Sequence, residues 1–441
     1  MVYAIVLIGV FTTLYSATKY KDILCPLNVF VPFFTVCTYF GSLAWYGKNQ
    51  GSLLTYTLIL ISLITYLISF EIIGHMRVKN GRSKSEWHGF EYTTLSRQFL
   101  YFLAIISLAL SLSKFMRALP FLLSGVSLRN LRSEYFTGSA ITTSALGSFL
   151  DSAVNGGIRL ALMIVAAIEI IFEKRKDAFF FLLVLLNVAV SSLATGGRLI
   201  IYDFAIMLLF SLLCYKSLFK SETIANSLRE IRNNKKTRKY IMFLLVIGVI
   251  SLITITLQRQ ASSETFVQSL YNDFTCFVPL MTKTLDMLSS RGDLTLGVSS
   301  FDGIFIIINI ILAMLRLPQI KSVNTINIYD APFLEIGGGN YANAYVSYIF
   351  YFYLDARIIG VVLGNILFGV MSYRIYKKLK TEPSKRSVAM YLFLNYLIFR
   401  TMVRWSFNQA AVFIALFMLL LIYKNSSASR TRIVLGNRRI L

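Results

Sequence analysis

Apolar residues run along this chain in long blocks, and most of the charged residues fall in the joints between them. A helix crossing a hydrocarbon core of about 30 Å needs roughly 20 mostly apolar residues, with about 17–25 tolerated. Runs of that kind lie at 2–18, 24–46, 53–73, 98–116, 155–172, 178–196, 200–217, 240–258, 358–376, 387–403 and 408–423. The pattern predicts an all-α, polytopic membrane protein, a single domain over 1–441 with about eleven transmembrane helices. Two joints are long, about 117–154 and about 259–357. The second holds two shorter apolar stretches, 303–315 and 344–354, whose length predicts interfacial or re-entrant helices. Full crossings by both would raise the count to thirteen without changing which joints share a side.

Charge assigns the sides, because Lys and Arg accumulate in cytoplasmic loops. Alternate joints share a side. Those after the first, third, fifth, seventh, ninth and eleventh spans hold 29 of the 44 basic residues. They comprise Lys19 and Lys21, the loop at about 74–97, Lys174 to Lys176, the loops at about 216–239 and 374–386, and the tail 424–441. The N-terminus is therefore expected outside, the tail inside, and both long joints external. With ten of the 21 acids on that same side, the basic joints carry +19 of the formal +23 and leave +4 elsewhere.

At 56% hydrophobic and 15% charged residues, with a mean hydropathy of +0.65, the chain is far from the roughly 25% charged composition of soluble domains. Its basic excess thus reports orientation and attraction to anionic lipid, and no nucleic-acid partner is expected. Cys25, Cys37, Cys214 and Cys276 lack metal-ligand spacing and read as small hydrophobes. His75 and His88 share one basic joint, so an external site has no histidine base or ligand. No metal site or cofactor is expected. The first run, VYAIVLIGVFTTLYSA, lacks a basic leader and reads as a span rather than a removable signal.

The external side is left rich in arginine. Of the 15 basic residues outside the basic joints, eleven are Arg and four are Lys. The planar guanidinium grips phosphate oxygens bidentately and stays charged when desolvated. Arg198 follows two glycines at the outer end of a span, Arg259 ends another, and Arg400 and Arg404 sit one turn apart at a third. Charges at such depth face a bundle interior or a water-filled cavity; snorkelling to the interface is the alternative. Asp203, five residues after Arg198 and inside a span, is the best candidate for a buried carboxylate. Its plainer role is an ion pair with a neighbouring arginine.

Three segments carry a resemblance: TGGR at 195–198, LRSEYFTG at 131–138, and NAYVSYIFYFYLDARIIGVVLGNILFG at 343–369. Together with the layout of spans they resemble the Wzy-type O-antigen and capsular polysaccharide polymerases. The matching run in this chain is Asn343, Tyr345, Asp355, Gly360, Gly364 and Gly369, with Ala356-Arg357 standing where that family commonly has an aromatic residue and glycine. The resemblance implies a GT-C-like helical bundle in the bacterial inner (cytoplasmic) membrane. It implies a glycosyltransferase that transfers a glycan from undecaprenyl diphosphate to the next lipid-linked repeat unit on the outer face. A flippase and a chain-length regulator would be its partners. Carried onto these residues, Arg198, Arg259, Arg132, Arg129, Arg357 and Arg404 would bind the diphosphate, and Asp203, Asp355, Glu134 or Asp273 would act on the acceptor hydroxyl.

Two other readings compete. An O-antigen ligase would move the finished glycan to another acceptor, but that family carries an external histidine. A lipid-linked oligosaccharide flippase or permease would have short joints and polar residues spread through its spans, whereas one external segment here runs to about a hundred residues.

Overall fold

A computed structural model describes residues 1–75, 95–124, 145–173, 177–218, 265–323 and 325–423. Within them the apolar blocks become helices, since a backbone in lipid must satisfy its own hydrogen bonds. They are α1 (Val2–Tyr20), α2 (Pro26–Ser42), α3 (Leu53–His75), α4 (Arg97–Leu123), α5 (Asn155–Phe172), α6 (Ala178–Thr195) and α7 (Leu199–Leu218). The second half adds α8 (Phe266–Thr275), α9 (Phe277–Arg291), α10 (Asp302–Met314), α11 (Ser347–Thr381), α12 (Lys385–Arg400) and α13 (Ala410–Ile422). Among the described residues seven helices are long and apolar enough to cross a membrane: α1, α3, α4, α5 with its preceding turns, α6, α7 and α11. The architecture is that of an α-helical polytopic membrane protein. The expected span 240–258 lies outside the described residues. One element the sequence pattern did not predict is a two-stranded antiparallel hairpin, β1 (Leu334–Gly337) with β2 (Asn340–Ala342).

Contacts among the described residues gather the helix ends that border several basic joints at one end of the bundle. Lys19 pairs with Glu71, Lys380 with Asp22 at 2.7 Å, Arg97 with Asp177 at 2.7 Å, and Lys385 with Glu173. Lys380 also donates to Ser217 Oγ at 2.8 Å. The starts or ends of α1, α3, α4, α5, α6, α7, α11 and α12 therefore meet there. At the far end, Asn49 N–H donates to Ile336 O at 2.7 Å, and Trp45 N–H donates to Tyr271 Oη at 3.2 Å. The segment 265–345 is thus seated on the far end of α2 and α3.

Two buried polar ladders hold the bundle together. Ser107 and Ser111 of α4, Asn155 of α5 and Asn187 and Ser191 of α6 exchange hydrogen bonds of 2.6–3.1 Å. Small polar side chains of this kind let helices approach closely and bond across the contact. The second ladder joins α3 to both limbs of α11: Tyr348 Oη meets Asn365 Oδ1 at 2.9 Å, and Ser62 Oγ bonds both residues.

The α11 helix is not one rod. At Ala356 and Arg357 its backbone leaves helical geometry (Arg357 φ 55°, ψ −139°), and the 347–355 limb folds back against the 358–381 limb. Glycines make the reversal possible. A Cβ at Gly360 would lie 2.0 Å from Phe352 O, and one at Gly364 2.4 Å from the Phe352 ring. Every residue of the short limb except Tyr353 is buried, so the apolar stretch 344–354 is a helix turned back into the protein, as its length suggested.

The last two expected spans, 387–403 and 408–423, become short helices with a wider joint between them. At 1.5 Å per residue, the 16 residues of α12 and the 13 of α13 reach about 24 and 20 Å, short of a 30 Å core. The nine residues between them, 401–409, form a turn, a stretch of 3₁₀ helix and extended backbone, buried except in part at Arg404 and Gln409. Trp405 anchors this break by packing on Tyr348, Phe352, Phe368 and Phe407 at 4.9–6.3 Å between ring centres.

Candidate functional site

The break between α12 and α13 forms one wall of a cavity of about 750 Å³. Its other walls include the ends of α4, α5, α6 and α7 that lie away from those helix-end contacts, the turn before α5, α10, and Gln319, Val323 and Asn327 beyond it. Four cations line it, Lys114, Arg159, Arg400 and Arg404, with three carboxylates, Asp151, Asp203 and Asp302. Asp151 belongs to a five-residue π-helical turn, Leu150–Val154, that leads into α5. Such turns are rare and recur at functional sites.

The cations are held in different ways. Arg400 is committed: its Nε donates to Asp203 Oδ1 at 3.0 Å and its Nη2 bonds Oδ2, a bidentate pair between α12 and α7. Arg159 donates to Ser191 Oγ at 2.8 Å, which ties it to the ladder of α4, α5 and α6. Arg404 differs. Its side chain is 19% exposed and stands 3.8 Å from Asp330 Oδ2, beyond hydrogen-bond reach. Among the described residues the Arg404 guanidinium makes no hydrogen bond. Asp330, at the end of the one-turn helix Asn327–Asp330, instead accepts from Tyr351 Oη at 3.0 Å. Burial pushes its carboxyl above the usual range, opposed by the charge of Arg404 and the Tyr351 hydroxyl.

The residues expected from sequence divide accordingly. Asp203 and Arg404 line the cavity; Arg198, Asp273, Asp355 and Arg357 do not. Arg198 is buried and fastens the far end of α7 to α8, donating to Asp273 Oδ1 at 2.8 Å and Ser269 Oγ at 3.0 Å. Asp355 sits at the tip of the α11 reversal and accepts four hydrogen bonds: from Thr295 Oγ1 at 2.6 Å, from Ser299 and Ser300 N–H at 3.0 Å each, and from Ser300 Oγ. It fixes the turn that launches α10. Arg357 lies in the reversal with its guanidinium 5.5 Å from the Tyr353 ring. Arg129, Arg132, Glu134 and Arg259 lie outside the described residues.

No family model, curated protein or solved structure matches this chain.

The site has to be judged on its own chemistry. Among the described residues no cluster of three or more His, Cys, Asp or Glu side chains could hold a metal ion. What converges is cationic hydrogen-bond donors against a partly apolar wall that includes Ile200, Ile306, Ile310 and Ala313. That combination suits an amphiphile with an anionic head. The sequence reading did not single out Lys114, Asp151 or Asp302. Lys114, the only charge inside its apolar run 98–116, carried the clearest available signal.

Proposed function

We propose that this protein is a glycosyltransferase that polymerises oligosaccharide repeat units carried on undecaprenyl diphosphate, at the outer face of a bacterial cytoplasmic membrane, into O-antigen or capsular polysaccharide. The supporting observation is Arg404, a largely buried guanidinium in a cation-lined cavity with no hydrogen bond among the described residues. Its one ion-pair neighbour among the described residues, Asp330, stands 3.8 Å away and leaves the guanidinium donors unfilled, and burying donors without acceptors is costly, so an anionic ligand that supplies the acceptors fits this site. A diphosphate has the matching geometry. Lys114 and Arg159 add charge to the same wall. With the basic end in the cytoplasm, the cavity lies in the outer half of the bilayer, where a lipid-linked sugar would present its head.

The reaction follows from these demands. A hydroxyl at the non-reducing end of the acceptor attacks C1 of the first donor sugar, and the bond from C1 to the diphosphate oxygen breaks. The leaving diphosphate takes the electron pair, and preorganised guanidinium donors meet its developing charge, so no strong acid is needed. No cofactor enters the balance.

Deleting the gene tests the reading. A surface glycan reduced to a single capped repeat supports it. Complete loss of surface glycan would indicate a flippase instead, and long unligated chains a ligase. At matched protein level, Arg404→Ala should lower chain extension about 100-fold, the scale of losing one preorganised donor, and Arg404→Lys should restore little of it. Normal chain length in Arg404→Ala would remove this residue from the site.

A further inference from the structure

Cations account for one part of the cavity lining, and neutral amides supply another. Gln319, Asn327 and Gln409 all border the cavity, and among the described residues none of their side-chain carboxamides makes a hydrogen bond. Other amides around the same space are committed to the fold. Asn155 belongs to the ladder of α4, α5 and α6, and Asn408 Nδ2 donates to Tyr351 Oη at 3.4 Å. Gln409 is half-buried, while Gln319 and Asn327 are exposed, so a ligand reaches all three without moving the bundle.

The three come from separate segments, each fixed by its own backbone contacts. Asn309 of α10 grips the peptide of Ile320 from both sides: Ile320 N–H donates to Asn309 Oδ1 at 2.8 Å, and Asn309 Nδ2 donates to Ile320 O at 3.1 Å. The chain after α10 is thereby folded back along it, with Gln319 beside the clip. Asn327 opens the one-turn helix whose last residue, Asp330, stands by Arg404 and accepts Ala344 N–H on its carbonyl at 2.7 Å. Gln409 closes the break between α12 and α13, where Gly303 fits so closely that a Cβ would lie 2.4 Å from the Gln409 carbonyl carbon. The same break supplies Arg404.

A carboxamide presents two N–H donors and a carbonyl acceptor in one plane, without charge. That set matches a sugar, whose hydroxyl groups donate and accept in turn. It adds no charge to hold a phosphate and no apolar surface to hold a lipid chain. A few polar groups placed in a pocket fix a ligand's orientation and its identity. Building on the polymerase reading, we infer that Gln319, Asn327 and Gln409 form the glycan subsite of this cavity, where they hydrogen-bond hydroxyl or acylamino groups of the sugars next to the diphosphate and determine which repeat unit is extended. A glycan that lacks one of these groups leaves a carboxamide unpaired and is disfavoured for that reason.

The test uses the full-length protein in lipid vesicles and compares two probes, undecaprenyl diphosphate and the single repeat unit on the same carrier, extracted from the deletion strain. A neutral hydrogen bond is worth about 3–10-fold in affinity, so Asn327→Ala with Gln409→Ala should weaken binding of the repeat-unit lipid about 10–100-fold and leave that of undecaprenyl diphosphate within about twofold. Arg404→Ala should weaken both. Equal loss of both probes in the double variant, or loss of neither, overturns the subsite. If that variant does not reach the vesicles folded, Asn327→Ala with Gln319→Ala, both at exposed positions, decides by the same comparison. The two readings fail separately. Native protein that extends chains but binds both lipids equally refutes the subsite and leaves polymerisation standing, and native protein that prefers the repeat-unit lipid but extends no chain refutes polymerisation alone.

Discussion

The Asp203–Arg400 pair can be taken apart to ask whether the wall of the cavity is held by charge. Its partners sit on α7 and α12, with side chains 7% and 14% exposed, and are joined through two donors. Removing one member of a buried pair strands the other and costs about 3–5 kcal/mol. Because both residues line a cavity that admits water, the lower figure applies, about 3 kcal/mol for Asp203→Asn or Arg400→Gln alone. The double variant strands no charge, so it should lose clearly less than the sum of the two. A coupling energy of about 2 kcal/mol is expected, roughly a 30-fold difference in the unfolding equilibrium. Reversible unfolding of the purified protein in mixed micelles measures all four corners of this cycle. Additivity within about 0.5 kcal/mol would show that the two side chains do not depend on each other, and the electrostatic account of this wall would fail.

Three further outcomes follow from particular backbone and side-chain positions. Arg357 occupies a φ, ψ region that only glycine adopts without strain. Arg357→Gly should therefore stabilise the fold by about 1 kcal/mol, after allowing for the greater chain entropy of glycine; a melting temperature below that of the native chain would refute the strain. Gly360→Ala places a methyl against the Phe352 carbonyl and should cost at least 2–3 kcal/mol on the scale of overpacking, seen as lowered yield and melting temperature, whereas Gly74 in α3, where a methyl would come no nearer than 3.4 Å to a neighbouring atom, is the control. Tyr329 donates to Asp293, and with Arg291 beside it this holds the Asp293 carboxyl below the usual range. The resulting stabilisation is present above the ordinary carboxylate pKa of about 3.9 and is lost as pH falls through the lowered native value. Asp293→Asn should flatten the acid limb of a stability–pH curve below about pH 4, and an unchanged limb would show that this contact is not linked to folding.

The alternation of joints was legible because it rests on counting charges. Among the described residues, Lys19 with Glu71, and Lys385 with Glu173, join helix ends that border such joints. The re-entrant limb of α11 was legible from its length. The break at 401–409 overlaps the joint expected at 404–407 between the last two spans, but its burial was not legible, because a joint carrying Arg404, Ser406, Asn408 and Gln409 reads as a solvated turn. Asp203 stood out as a charge inside a span, yet its partner lies 197 residues away, a separation that no local pattern encodes. Asp302 gave no signal of its own, since only the reversal at Ala356 and Arg357 and the contact of Gly303 bring it to the cavity. The glycines of 360–369 were visible as a pattern, and the reason for them is steric: Phe352 fills the space a side chain at Gly360 or Gly364 would need, and Ser69 the space at Gly369.

The reversal in α11 also bears on biogenesis. A limb of about nine residues, about 13 Å long, is too short to partition into lipid from the translocon as an independent segment. The hydroxyl that receives it, Ser62 of α3, precedes its partner Tyr348 by 286 residues, so the seat is synthesised long before the limb. The limb can insert only into a bundle whose flanking helices already stand, and its docking becomes a late, post-translational step. Until that step is complete, the Trp405 break lacks the cover of Tyr348 and Phe352, and quality-control proteases would meet the chain in that half-assembled form.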